Sequence, residues 1–316
     1  NGSGCIQIDG KGVLRIWQIF NNMDQVFIPH SFLAVRAKAG RGRPIVRALQ
    51  TEPRGPFAPM KSVAFRGEYP FGWYDFEDEA LPVRISLEAF SPLIPLDAKS
   101  SAAPCVVLRV TAETTSAQPV DVTLLASQQN AVGYMAVPTP RGQPVRDARI
   151  LGRKYSRYGA NRNEIVEQGE ATVLHMTGDA PRENVAYGDM ALAVLGDRVS
   201  TTASWDTLAT LSADLADDGK LTGPDKTAPS PAGQTVDGAL ASSFPLKPGQ
   251  KQTVTFLLTW HFPNGKHGSR GWGGSGNMYA NWWPNAKAVA KWLAENLPEL
   301  TRKTRLYHGS LYESNL

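Results

Sequence analysis

The chain has 316 residues, of which 42% are hydrophobic and 20% charged, as expected for a globular protein long enough to bury a sizeable core. Its net charge of +4 is small and its Lys and Arg residues form no blocks, which excludes a nucleic-acid partner that would need a basic face. No stretch approaches the roughly 18 consecutive apolar residues of a membrane-spanning helix, so no transmembrane segment is expected.

The first part of the chain reads as a series of short β-strands. Residues 5–8 and 13–20 predict a hairpin around the turn Asp9-Gly10-Lys11-Gly12, because glycine supplies the positive φ of a tight reversal. Residues 32–37 predict a further strand. Over residues 83–90 apolar and polar side chains alternate strictly, which predicts a strand with one solvent-facing side and favours antiparallel pairing.

Apolar runs of strand length continue to residue 260. Further strands are predicted at residues 106–111, 120–126, 171–177, 190–195 and 253–260, and the first two of these read as a second hairpin. Residues 214–238 are polar and rich in Gly, Pro and Asp, which predicts a long surface loop. Because no amphipathic helix alternates with the strands before residue 284, the predicted fold class is all-β, a large two-sheet antiparallel β-sandwich.

The periodicity becomes helical after Asn285. Apolar residues then recur every three or four positions, at Val289, Trp292, Leu293, Leu297, Leu300, Tyr307 and Leu311. Pro298 lacks the N–H that would bond back to Ala294, which predicts a kink or two abutting helices. We therefore divide the chain into a β-sandwich domain, residues 1–262, and an aromatic-rich loop with a linker helix, residues 263–316.

The stretch that joins these two parts, residues 253–293, holds five of the eight tryptophans. Its loop is rich in Gly, Asn and Trp, and exposed loops normally avoid such large apolar rings. One interpretation is that the rings pack on the sandwich's own sheet. The other is that they face a second domain or a sugar ring, for which the candidate substrate- or interface-binding residues are His261, Asn264, Trp272, Asn281, Trp282 and Trp283.

No stretch of the sequence predicts a catalytic, metal or cofactor site. Carboxylates at Asp75, Glu77, Asp78 and Glu79 lie side by side on one segment rather than across a sugar bond, so a solvated charge run is favoured over a glycosidase pair. Residues 271–276 match a dinucleotide-binding glycine motif but lack the strand directly before it. No two histidines have the spacing of a helical zinc motif.

The cysteines and the first residue bear on compartment. Cys5 and Cys105 each lie at the edge of an apolar strand, which favours buried free thiols, while a disulfide between them stays open. The chain begins at Asn1 in what reads as a strand region, so we expect that an N-terminal segment, and a leader peptide with it, is missing. The compartment stays open, with a secreted or periplasmic location favoured.

Six motifs carry a resemblance to a known family. They are GKGVLRIWQIFNN at residues 10–22, WYDFEDEALPVRISLEAFSPLIPLD at 73–97, QNAVG at 129–133, WHFPN at 260–264, YANWW at 279–283 and HGSLYESNL at 308–316. Together, and in this order, they resemble the N-terminal domain of glycoside hydrolase family 116, the family of non-lysosomal glucosylceramidase (bile-acid β-glucosidase) and its bacterial relatives.

The resemblance implies a large antiparallel β-sandwich, a helical linker and then a catalytic (α/α)6 barrel, in the same chain or a separate one, that acts on a carbohydrate or glycoside. In that family the barrel carries a Glu nucleophile and an Asp acid/base. No residue of this sequence matches their positions, so no catalytic residue is carried over. Relatives include β-glucosidases, β-xylosidases and α-D-arabinofuranosidases. The alternatives are a free-standing carbohydrate-binding module and a structural β-sandwich.

Overall fold

The computed structural model describes residues 4–21, 26–134, 159–265 and 276–314. Within these ranges the chain forms sixteen β-strands, three α-helices and one short 3-10 helix. The strands are β1 Cys5–Ile8, β2 Leu14–Gln18, β3 Phe32–Ala39, β4 Ile45–Ala48, β5 Ala58–Pro59, β6 Ser62–Glu68, β7 Phe71–Glu77, β8 Val83–Phe90, β9 Cys105–Thr114, β10 Val120–Gln129, β11 Arg162–Gln168, β12 Ala171–Thr177, β13 Asp189–Leu195, β14 Val199–Thr202, β15 Asp237–Leu246 and β16 Lys251–His261. The helices are α1 Ala98–Ser101, α2 Leu208–Asp218 and α3 Ala286–Tyr312, with the 3-10 helix at Met278–Asn281.

Two large sheets dominate the fold. One has six strands in the order β14-β15-β10-β3-β4-β5, the other has eight in the order β11-β12-β13-β16-β9-β8-β7-β6, and β1 pairs with β2 in a small hairpin. Neighbouring strands run antiparallel except for the short parallel pair β4 and β5. This confirms the predicted all-β sandwich and the hairpin at residues 5–20.

The main core lies between the two large sheets. It combines inward-facing side chains of the six-stranded sheet, such as Val35 and Leu124, with those of the eight-stranded sheet, such as Ile85 and Phe256. On β8 the predicted alternation is confirmed, because Val83, Ile85 and Leu87 are buried while Arg84 is exposed. Burial of apolar surface at roughly 25 cal/mol per Å² makes this core the main stabilising feature of the fold.

Helix α3 covers part of the outer face of the eight-stranded sheet. Its buried residues Val289, Leu293 and Leu300 pack in a second apolar cluster with Val107 and Leu257 of the sheet. The helix continues through Pro298, so the prediction of two abutting helices is wrong. Apolar contacts on both sides of the proline compensate for the one backbone hydrogen bond that it removes. In the described part of the chain, no helix is long and apolar enough to cross a membrane.

Helix α2 corrects the prediction that residues 214–238 form one long loop and that no amphipathic helix precedes residue 284. It begins at a capping box in which the Thr207 side chain accepts from the Thr210 amide, and it ends at Gly219 with a left-handed φ of 82°. Leu211 and Leu215 pack it on the outer face of the six-stranded sheet. Its many Asp and Ala residues concealed this one-sided apolar pattern.

Two further predictions are wrong. Strands β9 and β10 do not form a hairpin, because β9 belongs to the eight-stranded sheet and β10 to the six-stranded one, so their connection crosses from one layer to the other. Cys5 is exposed rather than buried, because β1 lies in the small two-stranded sheet, while Cys105 is buried as predicted. Both thiols are free, and burial raises the pKa of the Cys105 thiol.

Candidate functional site

Most of the predicted site residues lie at one end of the sandwich, which we call the loop end and define as residues 20–21, 134, 262–264 and 277–283. Here the chain leaves β2, β10 and β16, which belong to three different sheets. The Phe20 ring lies 5.3 Å from the Tyr134 ring and 5.4 Å from the Phe262 ring, measured between centroids. These aromatic contacts hold the three strand ends together.

Side-chain amides and a phenol link the same segments. Asn277 Nδ2 lies 2.7 Å from Asn21 Oδ1 and 2.6 Å from the Phe262 carbonyl oxygen, and it donates to both. Asn21 Nδ2 also donates to the Phe262 carbonyl, at 3.1 Å, and the Tyr279 hydroxyl donates to it at 2.9 Å. One carbonyl group thus accepts from three side chains, which fixes the backbone of the loop end at this point.

Asn264 ties the loop end to residues 182–184. Its Nδ2 donates to the carbonyl oxygens of Arg182 and Asn184, the latter at 2.8 Å. Asn184 also lines a cavity of about 530 Å³, together with Asp179 and Ser230. The cavity therefore adjoins the loop end and has both polar and apolar walls.

The buried carboxylate of Asp189, beside the loop end, binds the start of helix α3. Asp189 Oδ2 lies 2.6 Å from His175 Nε2, and both carboxylate oxygens accept from the Ala286 amide at 3.1 Å. His261 Nδ1 lies 3.9 Å from Asp189 Oδ1. The anion is favourable here because the first amides of a helix carry partial positive charge.

Burial controls the ionisation of the two ring residues beside Asp189. It lowers the pKa of His261, an effect opposed by the Asp189 carboxylate and by a hydrogen bond to the backbone of Trp283. Burial also raises the pKa of Tyr279 to about 12. The site therefore holds a neutral imidazole and a neutral phenol at pH 7.

The sequence of this chain matches a known protein family over most of its length. A family model described as beta-glucosidase 2, glycosyl-hydrolase family 116 N-term, matches residues 1–300. The chain belongs to the N-terminal domain family of GH116. No curated protein matches it in sequence.

Three solved structures are similar to this GH116 N-terminal domain. A protein provisionally identified as a kojibiose phosphorylase from the human microbiome has 10% identity and a TM-score of 0.39, over 88% of this chain and 27% of that one. A polysaccharide lyase has 10% identity and a TM-score of 0.40, over 82% and 32%. The GH36 α-galactosidase AgaB from Geobacillus stearothermophilus has 7% identity and a TM-score of 0.31, over 72% and 30%. The chain spans less than a third of each of these proteins.

The candidate tryptophans of this GH116 domain differ in how deeply they are buried. Trp283 is buried on the domain itself, with its ring centroid 5.0 Å from that of Trp292, which for this ring favours the interpretation of packing on the sandwich's own sheet. The outer sheet face and α3 supply enough apolar surface to cover it. Trp282 is half-buried beside it and Asn281 is exposed. Trp272 lies outside the described residues, as do residues 271–275 of the glycine motif.

The sequence reasoning missed the residues that organise this end of the GH116 domain. Asp189, Asn21 and Asn277 make its central hydrogen bonds, yet none was a candidate site residue, although Asn21 lies within the family motif at residues 10–22. The other available signal was a polar residue at the end of an apolar strand, as at Asp189. Among residues 4–21, 26–134, 159–265 and 276–314, no group of three His, Cys, Asp or Glu side chains could hold a metal ion.

Proposed function

We propose that this GH116 N-terminal domain is the non-catalytic part of a retaining exo-glycoside hydrolase, and that its loop end packs on and helps to shape a catalytic (α/α)6 barrel. The substrate would be a β-glucoside or glucosylceramide, with an α-D-arabinofuranoside as the alternative. The observation that carries the proposal is the convergence of three side chains, from Asn21, Asn277 and Tyr279, on the Phe262 carbonyl. A loop end fixed in this way can present a defined surface to a partner.

The surface of the loop end supports a protein contact. Met278 is 58% exposed, Asn281 is exposed and Trp282 is half-buried, although all three lie beside the tightly bonded Tyr279. Methionine and aromatic side chains are enriched at the centres of protein interfaces. A rigid backbone that displays such side chains suits docking, because little conformational entropy is lost on binding.

The carboxylates support a non-catalytic role. A retaining glycosidase needs two carboxyl groups about 5 Å apart across a sugar-sized pocket. Four of the least exposed carboxylates in the described residues instead each face a basic partner inside the domain. The pairs are Asp78 with Arg47 at 2.6 Å, Glu88 with Arg109 at 3.1 Å, Asp189 with His175 at 2.6 Å and Asp237 with His30 at 2.5 Å.

The barrel contact is tested by Asn281→Arg in the assembly with the catalytic barrel, whether the barrel lies in the same chain or in a separate one. Asn281 is exposed, so the longer side chain should leave the folding of this domain unchanged and collide only with a docked partner. We expect kcat/KM on an aryl glycoside to fall about tenfold or more, the effect of losing a central interface contact. Thr115→Arg is the matched control, because Thr115 is exposed at the opposite end of the sandwich.

Equal activity of the two variants would contradict the barrel contact. The non-catalytic role has its own test, since the purified 316-residue chain should hydrolyse no aryl glycoside. Turnover that survives repeated purification and is lost on substituting a carboxylate of this chain would overturn it.

A further inference from the structure

The outer face of the eight-stranded sheet has a second polar region, far from the loop end. Thr253 and His261 both lie on β16 and are eight residues apart, so about 27 Å separates this region from the loop end. Helix α3 contacts chiefly strands β11, β12, β13 and β16. Beyond it, strands β7, β8, β9 and the start of β16 leave a cavity of about 330 Å³ on the sheet face.

Strand register explains the shape of this cavity. One cross-strand row carries short side chains that form the floor, namely Asp75, Ser86, Thr111 and Thr253. The next row carries longer side chains, namely Arg66, Trp73, Glu88 and Arg109. The row on the other side includes Arg84, Glu113 and Lys251. Small residues between two rows of large ones make a groove, which we call the hydroxyl groove.

The hydroxyl groove crosses four strands, so its floor is about 14 Å long at the usual spacing between strands. The Thr111 and Thr253 hydroxyls lie 2.7 Å apart and bond to each other. Within the described residues, the Asp75 carboxylate and the Ser86 hydroxyl bond to no protein group. The floor therefore offers a carboxylate and hydroxyl groups in a line.

The wall beside the floor is rigid. The Trp73 indole N–H donates to Glu88 Oε2 at 2.9 Å, and Arg109 Nη1 donates to Glu88 Oε1 at 3.1 Å. The Arg66 guanidinium carbon lies 3.9 Å from the centre of the Trp73 ring, which places an aromatic–cation pair at one end of the groove. Glu88 also accepts from Arg305 of helix α3, so it is a fixed hub that holds Trp73, Arg109 and the end of this helix together.

We propose that the hydroxyl groove binds a neutral oligosaccharide. Ionised carboxylates and guanidinium groups form strong hydrogen bonds with sugar hydroxyls, and the floor supplies further hydroxyl partners. Arg66 is paired with Glu68 and Arg109 with Glu88, so these two cations are already neutralised and do not favour an anionic ligand. An extended peptide is disfavoured, because β7, β8, β9 and β16 are all paired on both sides and have no free edge.

Isothermal titration calorimetry of the 316-residue chain tests this proposal. The neutral probes are cellotetraose, xylotetraose and maltotetraose, and the other probes are tetragalacturonate and tetra-alanine. We expect at least one neutral tetrasaccharide to bind, and Asp75→Ala to weaken that binding about tenfold, the loss expected for a charge-assisted hydrogen bond. Asp121→Ala, at an exposed position on β10 in the other sheet, should bind like the wild type.

A second variant tests the floor without changing charge or size. Thr111→Val combined with Thr253→Val removes both hydroxyls and keeps the side-chain volume, and it should also weaken binding. The proposal is overturned if no neutral tetrasaccharide binds, if Asp75→Ala binds as tightly as Asp121→Ala, or if tetragalacturonate or tetra-alanine binds more tightly than the neutral sugars. The readout is sugar binding, so a negative result for the barrel contact leaves this test intact.

Discussion

Asp189 on β13 and His175 on β12 form a buried pair, with Oδ2 of the carboxylate 2.6 Å from Nε2 of the imidazole, at the point where helix α3 begins. The first turn of this 27-residue helix contains no acidic residue of its own. A strand of the sheet supplies the anion instead, and both carboxylate oxygens accept from the Ala286 amide. The pair therefore fastens the helix to the sheet by charge as well as by apolar contact.

We expect Asp189→Asn to lower the free energy of unfolding by about 1–3 kcal/mol, because it removes the carboxylate that contacts His175 and the anion at the helix start. Urea unfolding followed by circular dichroism measures this change. Asp121→Asn, at an exposed strand position, should change the free energy of unfolding by less than about 0.5 kcal/mol. Similar losses in the two variants would contradict the proposed role of Asp189.

Stability should decrease in mild acid because of His261. Burial holds the pKa of His261 below its ordinary value of 6.5, so on acidification the unfolded chain takes up a proton before the folded chain does. The contribution of His261 to the free energy of unfolding therefore has its full value above pH 6.5. It decreases as the pH falls below 6.5. Urea midpoints at pH 7.5 and at pH 5.5 measure the effect. His261→Gln should show a smaller fall, and an unchanged pH dependence in this variant would contradict the assignment.

The two adjacent tryptophans of the loop end should differ in their contribution to stability. Trp283 is 4% exposed and packs between the sheet and α3, so Trp283→Ala should cost about 3–5 kcal/mol in the free energy of unfolding. Trp282 is only half-buried, and Trp282→Ala should cost clearly less. Chemical denaturation of the two variants gives the comparison. Equal losses would show that Trp282 belongs to the core as fully as Trp283.

Gly188 allows the chain before β13 to lie in close contact with His261 and Phe262 at the end of β16. A Cβ at this position would clash with the His261 carbonyl oxygen and the Phe262 ring. Gly188→Ala should therefore destabilise the fold by about 2 kcal/mol through overpacking. Gly10→Ala is the matched control, because a Cβ there meets nothing within 4 Å and should have little effect. Differential scanning calorimetry of both variants tests the difference.

Local patterns were sufficient for much of the fold. The alternation at residues 83–90 predicts β8 correctly, because Val83, Ile85 and Leu87 face the core while Arg84 faces solvent. Helix α2 was missed because its apolar positions Leu211 and Leu215 stand among Asp and Ala residues. Pro298 was expected to give a kink or two abutting helices, but α3 is one helix because packing on the sheet outweighs one lost hydrogen bond.

The loop end could not be predicted in the same way. Asn21 and Asn277 are 256 positions apart in the chain, and their contact depends on how both sheets are assembled. The density of tryptophans predicted a covered surface there, but composition cannot distinguish a cover made by the domain's own helix from one made by a partner. For Trp283 the cover is the domain itself.

The late position of α3 in the sequence has a consequence for biosynthesis. Phe71, Val107 and Ala191 lie on an apolar sheet face that residues 279–308 help to cover, and those residues leave the ribosome after the sixteen described strands. The nascent sandwich therefore exposes an apolar surface until the helix emerges. During this period chaperones must protect that surface from aggregation. Premature termination between β16 and α3 should yield aggregates rather than a smaller soluble domain.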